Sequence, residues 1–328
     1  MVTGVDANHD AVGRRRRLEP VSTGKRVSPQ ARDLVWFSKL AEHGPLPSSF
    51  LLQYADDTHR SEKRARERLT DLFNETDTPD TGPYLCRPPQ QFRTLDSRYN
   101  QLVYDLTPAS RKALAGAQML ARPTPRPAGP WLHGFMVGCI TASIELALKA
   151  REDLRYIPQS DILARAETDL RYLTRISSPE TGTSVEKELL PDAIFGLEYR
   201  VVGQRRFRFF AVEADRATEP ATSTNFNRKS FLRSVLQYER YVEHGGYREH
   251  LGLTAPLVVL HVSSDALRTQ RMVEMVAKRY PRGNSYFLFQ TWEDFGPVFR
   301  PPQPRPTLLV EGWERGGLPA LRIDQVGG

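Results

Sequence analysis

Apolar residues recur at helical spacing in the first quarter of the chain. The clearest stripe occupies positions i, i+4, i+7 and i+8 and consists of Ala65, Leu69, Leu72 and Phe73. This spacing places the four side chains on one face of a helix, which we predict from about Arg60 through Phe73. Two shorter helices are predicted before it, one from the Ser28-Pro29 pair to residues 43–45 and one that starts near Ser48.

A β-hairpin is predicted after the third helix. Its strand-like runs are residues 84–87 and 101–107, and the polar loop between them contains Arg93 and Arg98. Three helices followed by a hairpin is the element order of a winged helix-turn-helix domain, in which the third helix lies in the major groove of DNA. We therefore predict such a domain over residues 28–116.

Basic side chains on the third helix and on the hairpin loop are the candidate DNA contacts. At about 100° per residue, the helix turns three basic residues away from its apolar stripe: Arg60, Lys63 and Arg64. Such residues read guanine edges or clamp phosphates, and Arg93 and Arg98 would lie on the wing beside the DNA backbone. The alternative is a small helical domain whose basic face is merely solvated.

The second half of the chain alternates strands with helices. A long apolar helix is predicted at residues 131–150, and its His133 is interpreted as a core histidine. Strands are predicted at 190–201, 206–214, 256–262 and 285–290, helices at 226–243 and 264–279, and either element at 161–173. This order predicts a mixed sheet with helices on its faces, and hence an α+β or α/β domain over residues 131–295.

Proline-rich and basic segments separate and flank the two predicted domains. Residues 117–130 are predicted to be a semi-rigid linker, and residues 296–328 a proline-rich extension with a small hairpin at 307–317. Residues 1–27 include 14-RRRR-17 and few apolar residues, which predicts a disordered basic arm. Such an arm could touch phosphates or be a solvated tail without function.

Composition and charge narrow the classes of function. The 328 residues are 39% hydrophobic and 26% charged, which is typical of a globular protein. The formal net charge is +7, and a basic protein attracts polyanions such as nucleic acid. Two cysteines favour a reducing compartment without a disulfide framework. The N-terminus lacks a secretory pattern, and His133 and Glu145 interrupt the apolar run at 131–148, so we expect a cytoplasmic protein without a membrane span.

Acidic residues mark the ends of the adjoining strands at 190–201 and 206–214. Asp192 begins the first strand and Glu213 ends the second, so an antiparallel hairpin would bring the two carboxylates together. A magnesium-dependent nuclease needs such oxygen ligands, with further positions open for water and phosphate. Asp215 leaves the same strand face as Glu213. The alternatives are that Asp192 is an ordinary strand-start residue and that Arg216 pairs with the other two acids.

This arrangement resembles the PD-(D/E)XK nuclease superfamily, whose pattern is an aspartate, an intervening strand and then Glu-x-Lys. Pro191-Asp192 and Glu213-Ala214-Asp215 stand at the matching places. The chain is also similar to the replication-relaxation family of plasmids and other mobile elements in four segments: 132–140, 191–197, 212–219 and 229–241. The resemblance covers about residues 30–290 and implies a winged helix followed by a mixed-sheet, restriction-endonuclease-like domain.

The resemblance also implies site residues and shows a departure. Asp215 stands at the position of the superfamily's lysine, and Lys229 in the following helix is a candidate for a migrated lysine. Glu145 is a candidate metal ligand because the first helix of such domains often supplies one, and Glu167 is a weaker candidate. The implied catalytic residues are Asp192, Glu213, Asp215 and Lys229, and the implied Mg²⁺ ligands are Glu145, Asp192 and Glu213.

Three functions remain open on the sequence. The first is a DNA-binding protein of a plasmid or mobile element whose nuclease-fold domain has reduced or lost cleavage, and the missing lysine favours it. The second is an active Mg²⁺-dependent endonuclease or nickase. The third is a protein-interaction adaptor in a replication or transfer complex. Double-stranded DNA is the expected partner of the first two, and winged-helix proteins often bind it as homodimers.

Overall fold

The chain divides into two compact units. The computed structural model describes residues 17–78, 80–94, 97–119, 129–179, 181–201, 203–216, 228 and 230–326. The first unit is Met1–Leu120 together with Val298–Gln303, and the second is Ala121–Pro297 together with Pro304–Gly328. Within the described ranges, no helix has the length and apolar character needed to cross a bilayer.

The described part of the first unit consists of four α-helices and a small antiparallel sheet. Its elements are α1 (Ala31–His43), β1 (Leu46–Pro47), α2 (Ser48–Tyr54), α3 (Glu62–Asn74), β2 (Leu85–Cys86), β3 (Val103–Leu106) and α4 (Pro108–Gly116). The sheet order is β1-β3-β2, with Leu46 opposite Tyr104 and Leu85 opposite Leu106. Short 3₁₀ turns at Pro89–Phe92 and Ser97–Tyr99 lie between β2 and β3.

The three helices predicted for this unit are confirmed, with shifted starts. α3 buries the four residues of the predicted apolar stripe, Ala65, Leu69, Leu72 and Phe73. It begins after Ser61, whose hydroxyl accepts a hydrogen bond from the Arg64 N–H at 3.3 Å, so Arg60 precedes the helix. α1 begins at Ala31 rather than at Ser28-Pro29, because the Asp33 carboxylate accepts from the Gln30 N–H at 2.7 Å and caps the helix there.

Residues 17–27 pack on the first unit, in contrast to the disorder that their composition predicts. The buried Glu75 carboxylate accepts hydrogen bonds from the Ser22 hydroxyl at 2.6 Å and from the Thr23 N–H at 2.8 Å. Val27 is fully buried, and its N–H donates to the Thr76 carbonyl. A buried acceptor and one apolar anchor therefore order a polar segment that has no hydrophobic periodicity. Residues 14–16 of the arginine run lie outside the described residues.

The segment Val298–Gln303 also belongs to the first unit. The Gln101 side-chain amide donates hydrogen bonds to the Pro301 and Pro302 carbonyls at 3.1 and 2.8 Å. The oxygen of the same amide accepts from the Ser49 N–H at 2.9 Å. A short proline-rich stretch from the C-terminal region is thereby tied to the start of α2.

The second unit is a mixed α/β domain. Its elements are α5 (Trp131–Ala147), β4 (Leu154–Ile157), α6 (Gln159–Ala166), β5 (Tyr172–Ser177), β6 (Ser184–Leu189), β7 (Ala193–Val201), β8 (Gln204–Asp215), α7 (Phe231–Tyr238), a π-helix (Glu239–Glu243), α8 (Gly246–Leu251), β9 (Leu257–Ser263), α9 (Ala266–Arg279), β10 (Phe287–Thr291), α10 (Thr307–Val310), β11 (Gly312–Arg315) and β12 (Leu318–Arg322). A seven-stranded sheet has the order β12-β11-β10-β9-β8-β7-β4, and β5 and β6 form a separate hairpin.

The centre of the sheet combines an antiparallel hairpin with parallel strands. β7 and β8 pair antiparallel, from Ala193 opposite Val212 to Val201 opposite Gln204. In contrast, β8, β9 and β10 run parallel to one another. All residues of β9 are buried, as the continuous apolar run predicts. Gly196 allows close packing on β7, because a Cβ there would lie 2.8 Å from the Phe209 ring. The hairpin predicted from the sequence is therefore confirmed.

Several element predictions for this unit are corrected. Residues 161–173 contain both a helix end and a strand start, separated by an irregular stretch. The helix predicted at 226–243 is described as α7 followed by the π-helix, and residues 217–227 and 229 lie outside the described residues. The small hairpin predicted at 307–317 lies later, because Thr307–Val310 is helical. That hairpin, β11–β12, extends the seven-stranded sheet, and β4 was not predicted at all.

Candidate functional site

Asp192 lies immediately before β7, at the end of the β7–β8 hairpin that is opposite its turn. Its N–H donates to the Val212 carbonyl at 3.1 Å, so Asp192 continues the ladder and stands next to Glu213. Its Oδ2 accepts a hydrogen bond from the Ala214 N–H at 2.9 Å, and its Oδ1 lies 2.9 Å from Nε2 of His133 in the first turn of α5. The side chain is 10% exposed, and both carboxylate oxygens have protein partners.

Glu213 is bound to a buried tyrosine. The Tyr238 hydroxyl, at the last turn of α7, donates to Glu213 Oε1 at 2.5 Å. Burial raises the pKa of Tyr238 well above its ordinary value, and the charges of Glu213 and Asp192 add to the effect. The phenol therefore remains a neutral donor at physiological pH.

Asp215 forms an ion pair with Arg268 on α9. The guanidinium Nε lies 2.9 Å from Asp215 Oδ2, and the two side chains are 11% and 14% exposed. The strand register explains the pairing: Asp215 lies beside Ser263 at the end of β9, and α9 begins just after it. The sequence had suggested Arg216 as the partner, whereas the arginine that pairs with Asp215 comes from the next crossover.

The remaining acidic candidates lie apart from this cluster. Glu145 is twelve residues after His133 on α5, which corresponds to about 18 Å along a helix. Since His133 contacts Asp192, the structure does not bring Glu145 to Asp192 and Glu213. Glu167 is the exposed residue after α6, with a left-handed backbone (φ 53°). Lys229 lies outside the described residues.

Protein groups contact at least one oxygen of each candidate Mg²⁺-binding carboxylate in this cluster. Magnesium requires near-octahedral oxygen ligands and open positions for water. Here a histidine and a backbone N–H contact the two Asp192 oxygens, a tyrosine hydroxyl donates to Glu213 Oε1, and an arginine donates to Asp215 Oδ2. In the described part of the chain, no group of three or more His, Cys, Asp or Glu side chains is placed to hold a metal ion.

The basic residues of α3 are exposed but accompanied by acids. Lys63 and Arg64 are solvent-exposed, as their helical positions predict, and Arg60, which precedes the helix, is exposed as well. Arg64 pairs with Glu67 at 2.8 Å, with the two side chains 73% and 45% exposed. Such exposed pairs contribute less than about 1 kcal/mol, so an incoming phosphate can compete for the arginine.

The connection between β2 and β3 carries the other basic candidates. Arg93 is exposed directly after the Pro89–Phe92 turn. The side chain of Arg98 lies outside the described part of the structure. Arg68, on α3, is by contrast structural: its Nη2 lies 2.6 Å from Asp33, whose side chain is fully buried, and the pair ties α3 to α1.

Sequence reasoning missed His133, Tyr238 and Arg268 as partners of the acidic cluster. His133 was interpreted as a core residue and Tyr238 as packing, yet both contact the candidate carboxylates. One general signal was present, because a buried histidine or tyrosine needs a hydrogen-bond partner. Which carboxylate each of them contacts depends on the tertiary fold and could not be predicted from the sequence.

Comparison with known proteins gives one match. A family model described as Replication-relaxation matches residues 37–257, which is more than half of the chain and includes parts of both units. No curated protein and no solved structure matches significantly.

Proposed function

Since the chain belongs to the replication-relaxation family, we propose that it serves the replication or relaxation of a plasmid or other mobile element as a DNA-binding protein. In this proposal the first unit is a winged helix that binds double-stranded DNA. The second unit is a PD-(D/E)XK-like domain whose cleavage is reduced or lost.

The order of elements in the first unit carries the proposal. Three helices, a hairpin and a short strand after α1 follow one another as α1-β1-α2-α3-β2-β3, and β3 lies between the other two strands. This is the arrangement expected of a winged helix-turn-helix, in which the third helix enters the major groove. The corresponding helix here, α3, presents Lys63 and Arg64 to solvent, and the β2–β3 connection presents Arg93.

The acidic cluster supports a domain that no longer cuts DNA. Asp192 and Glu213 are neighbours on the β7–β8 hairpin, as the nuclease resemblance implies. Their oxygens are nevertheless used in hydrogen bonds, and Asp215 stands where a lysine would assist phosphate chemistry. In this proposal the hydrogen bonds to protein partners stabilise the fold and compete with a cation and its water for the same oxygens.

The decisive experiment measures DNA affinity of the full chain over a range of salt concentrations. We expect the Lys63→Ala/Arg64→Ala double variant to reduce the magnitude of the negative slope of log K against log salt by about 1.8. Each phosphate contact on duplex DNA contributes about 0.9 to that magnitude. Arg111→Ala/Lys112→Ala on α4 removes the same charge from the same unit and is the matched control. Equal losses in both variants would contradict a specific role for α3.

Cleavage is tested in parallel on supercoiled plasmid with Mg²⁺. We expect no nicking or linearisation by the wild type. Mg²⁺-dependent nicking that disappears in both Asp192→Ala and Glu213→Ala would instead establish the endonuclease. Absence of any salt-sensitive DNA binding would favour the protein-interaction adaptor.

A further inference from the structure

The turn end of the β7–β8 hairpin projects beyond the strands that flank it. On one side β9 pairs with β8 only from Phe209 onwards. On the other side β4 pairs with β7 over residues 196–199, and the Arg200 N–H donates to the Asp153 carbonyl at 2.8 Å. The hairpin end from Arg200 opposite Arg205 to Val201 opposite Gln204 is therefore a ribbon that β9 does not reach and that the β4 side contacts only at Arg200. A ribbon of this width is one of the elements that the major groove of B-DNA admits.

This ribbon carries an excess of positive charge. Arg200 lies directly opposite Arg205, although like charges in directly opposite positions destabilise a strand pair. Both point towards Glu198, a buried carboxylate that also pairs with Arg155 of β4. Three guanidinium groups thus share one carboxylate, and their side chains are 55%, 56% and 74% exposed. The Arg155 contact is short, at 2.7 Å, whereas those of Arg200 and Arg205 are 3.9 and 3.5 Å.

Further basic and aromatic groups lie on both faces of β8. Phe207 is opposite Glu198, on the same face as Arg205, and is 38% exposed. Arg206 and Arg208 are on the other face, where Arg206 is exposed and Arg208 is half-buried over the ring of Tyr199, with one guanidinium nitrogen 3.5 Å from the Gln325 carbonyl. No acidic residue occurs between Arg200 and Arg208 in the sequence. Within the described residues, Glu198 is thus the one carboxylate that pairs with arginines of this ribbon.

From these observations we infer that the arginine ribbon, formed by Arg200 and Arg205 with Arg155 beside them, is a second DNA-binding surface that binds backbone phosphates of a duplex. A guanidinium group can bind phosphate through two parallel N–H···O hydrogen bonds. Three guanidinium groups share the one negative charge of Glu198, so positive charge remains available for phosphate. The inference shares the DNA partner of the proposed function but rests on the second unit, so either can hold without the other.

The test replaces the two arginines with the weakest contacts to Glu198. Arg200→Gln/Arg205→Gln leaves the short Arg155–Glu198 pair intact, so the buried carboxylate keeps a partner. Binding of a fluorescent duplex to the full chain is measured by anisotropy across salt concentrations. We expect the salt slope to fall by about 1.8, which corresponds to on the order of 30-fold weaker binding at roughly 0.15 M salt. Arg200→Lys/Arg205→Lys, which keeps the charges, should retain most of the slope.

Arg271→Gln/Arg282→Gln provides the matched control, since it removes two exposed arginines of the same unit on and just after α9. This control should bind like the wild type, and a loss equal to that of the ribbon variant would overturn the inference. So would an unchanged slope in the ribbon variant, or a loss confined to single-stranded DNA of the same length. If the α3 variant loses binding and the ribbon variant does not, only this inference fails. The reverse result supports the ribbon and rejects the role of α3.

Discussion

At one end of the β7–β8 hairpin, Asp192, Glu213 and Asp215 each have a partner within the protein: His133, Tyr238 and Arg268. At the other end, three arginines share the single carboxylate of Glu198. The two ends are built on the same pair of strands, yet Asp192 and Asp215 are only 10% and 14% exposed and make short contacts, whereas the three arginines are more than half exposed. This contrast supports our proposals that the acidic end stabilises the fold and that the basic end binds DNA.

The comparison shows that proximity of acids is a poor criterion for a metal site. The hairpin does bring Asp192 beside Glu213, which is the placement a nuclease requires. What distinguishes a catalytic pair from a structural one is whether the oxygens remain open. At the arginine end the same criterion favours function, because the charged groups are more than half exposed.

The largest effect is expected from breaking the acidic end. Asp192→Ala removes the acceptor of the Ala214 N–H and the partner of His133, both in a largely buried setting. We expect a loss of about 2–3 kcal/mol in the free energy of unfolding, measured by urea titration, because unsatisfied buried polar groups cost about 1–3 kcal/mol. Asp192→Asn retains an acceptor for Ala214 and should lose less. A stabilised Asp192→Ala variant would contradict the structural role and revive a functional one.

An intermediate effect on the free energy of unfolding, and on its dependence on pH, is expected from Tyr238→Phe. The folded-state pKa of Tyr238 is raised above its ordinary value of 10.0 by burial and by Glu213. Its contribution to stability is therefore complete below pH 10 and is lost as the pH rises above that value, since the unfolded chain then releases the proton first.

Urea titrations of the wild type and of Tyr238→Phe between pH 9 and pH 11 test this. The variant should be less stable by about 1 kcal/mol near neutral pH, where it lacks one hydrogen bond. Above pH 10 the stability of the variant should fall less steeply than that of the wild type, and the difference between the two slopes should be about 1 kcal/mol per pH unit. Tyr99→Phe, which removes a phenol that is 77% exposed, is the matched control. Identical alkaline slopes in Tyr238→Phe and the wild type would show that the phenol is not held as described.

The smallest change in stability is expected at the basic end. Glu198→Gln removes the shared charge at a buried position, but the amide keeps an oxygen that can accept the Arg155 hydrogen bond, and the three arginines are more than half exposed and can be hydrated. We expect a loss of at most about 1 kcal/mol in the free energy of unfolding. DNA binding should become more salt-sensitive, with the slope increasing by up to about 0.9, because one more positive charge is available to phosphate. A weaker salt dependence would indicate that Glu198 orients the arginines instead of neutralising them.

The sequence was sufficient for local features of both units. The apolar stripe of α3 and the continuous run of β9 follow from periodicity, which depends on neighbouring residues alone. The approach of Asp192 to Glu213 also follows from a short hairpin. The pairing of Asp215 with Arg268 could not be predicted, because it depends on where a crossover helix starts after another strand. The order of residues 17–27 likewise depends on Glu75, far away in the sequence.

The path of the chain through Val298–Gln303 has a consequence for how the two units can be handled. The polypeptide leaves the second unit at Pro297, contributes this stretch to the first unit, and returns at Pro304 to supply β11 and β12. Neither unit is a single uninterrupted piece of sequence. A single backbone break between residues 120 and 121 would leave residues 298–303 of the first unit on the fragment that carries the second unit, and gene-level exchange of either unit alone would require three junctions.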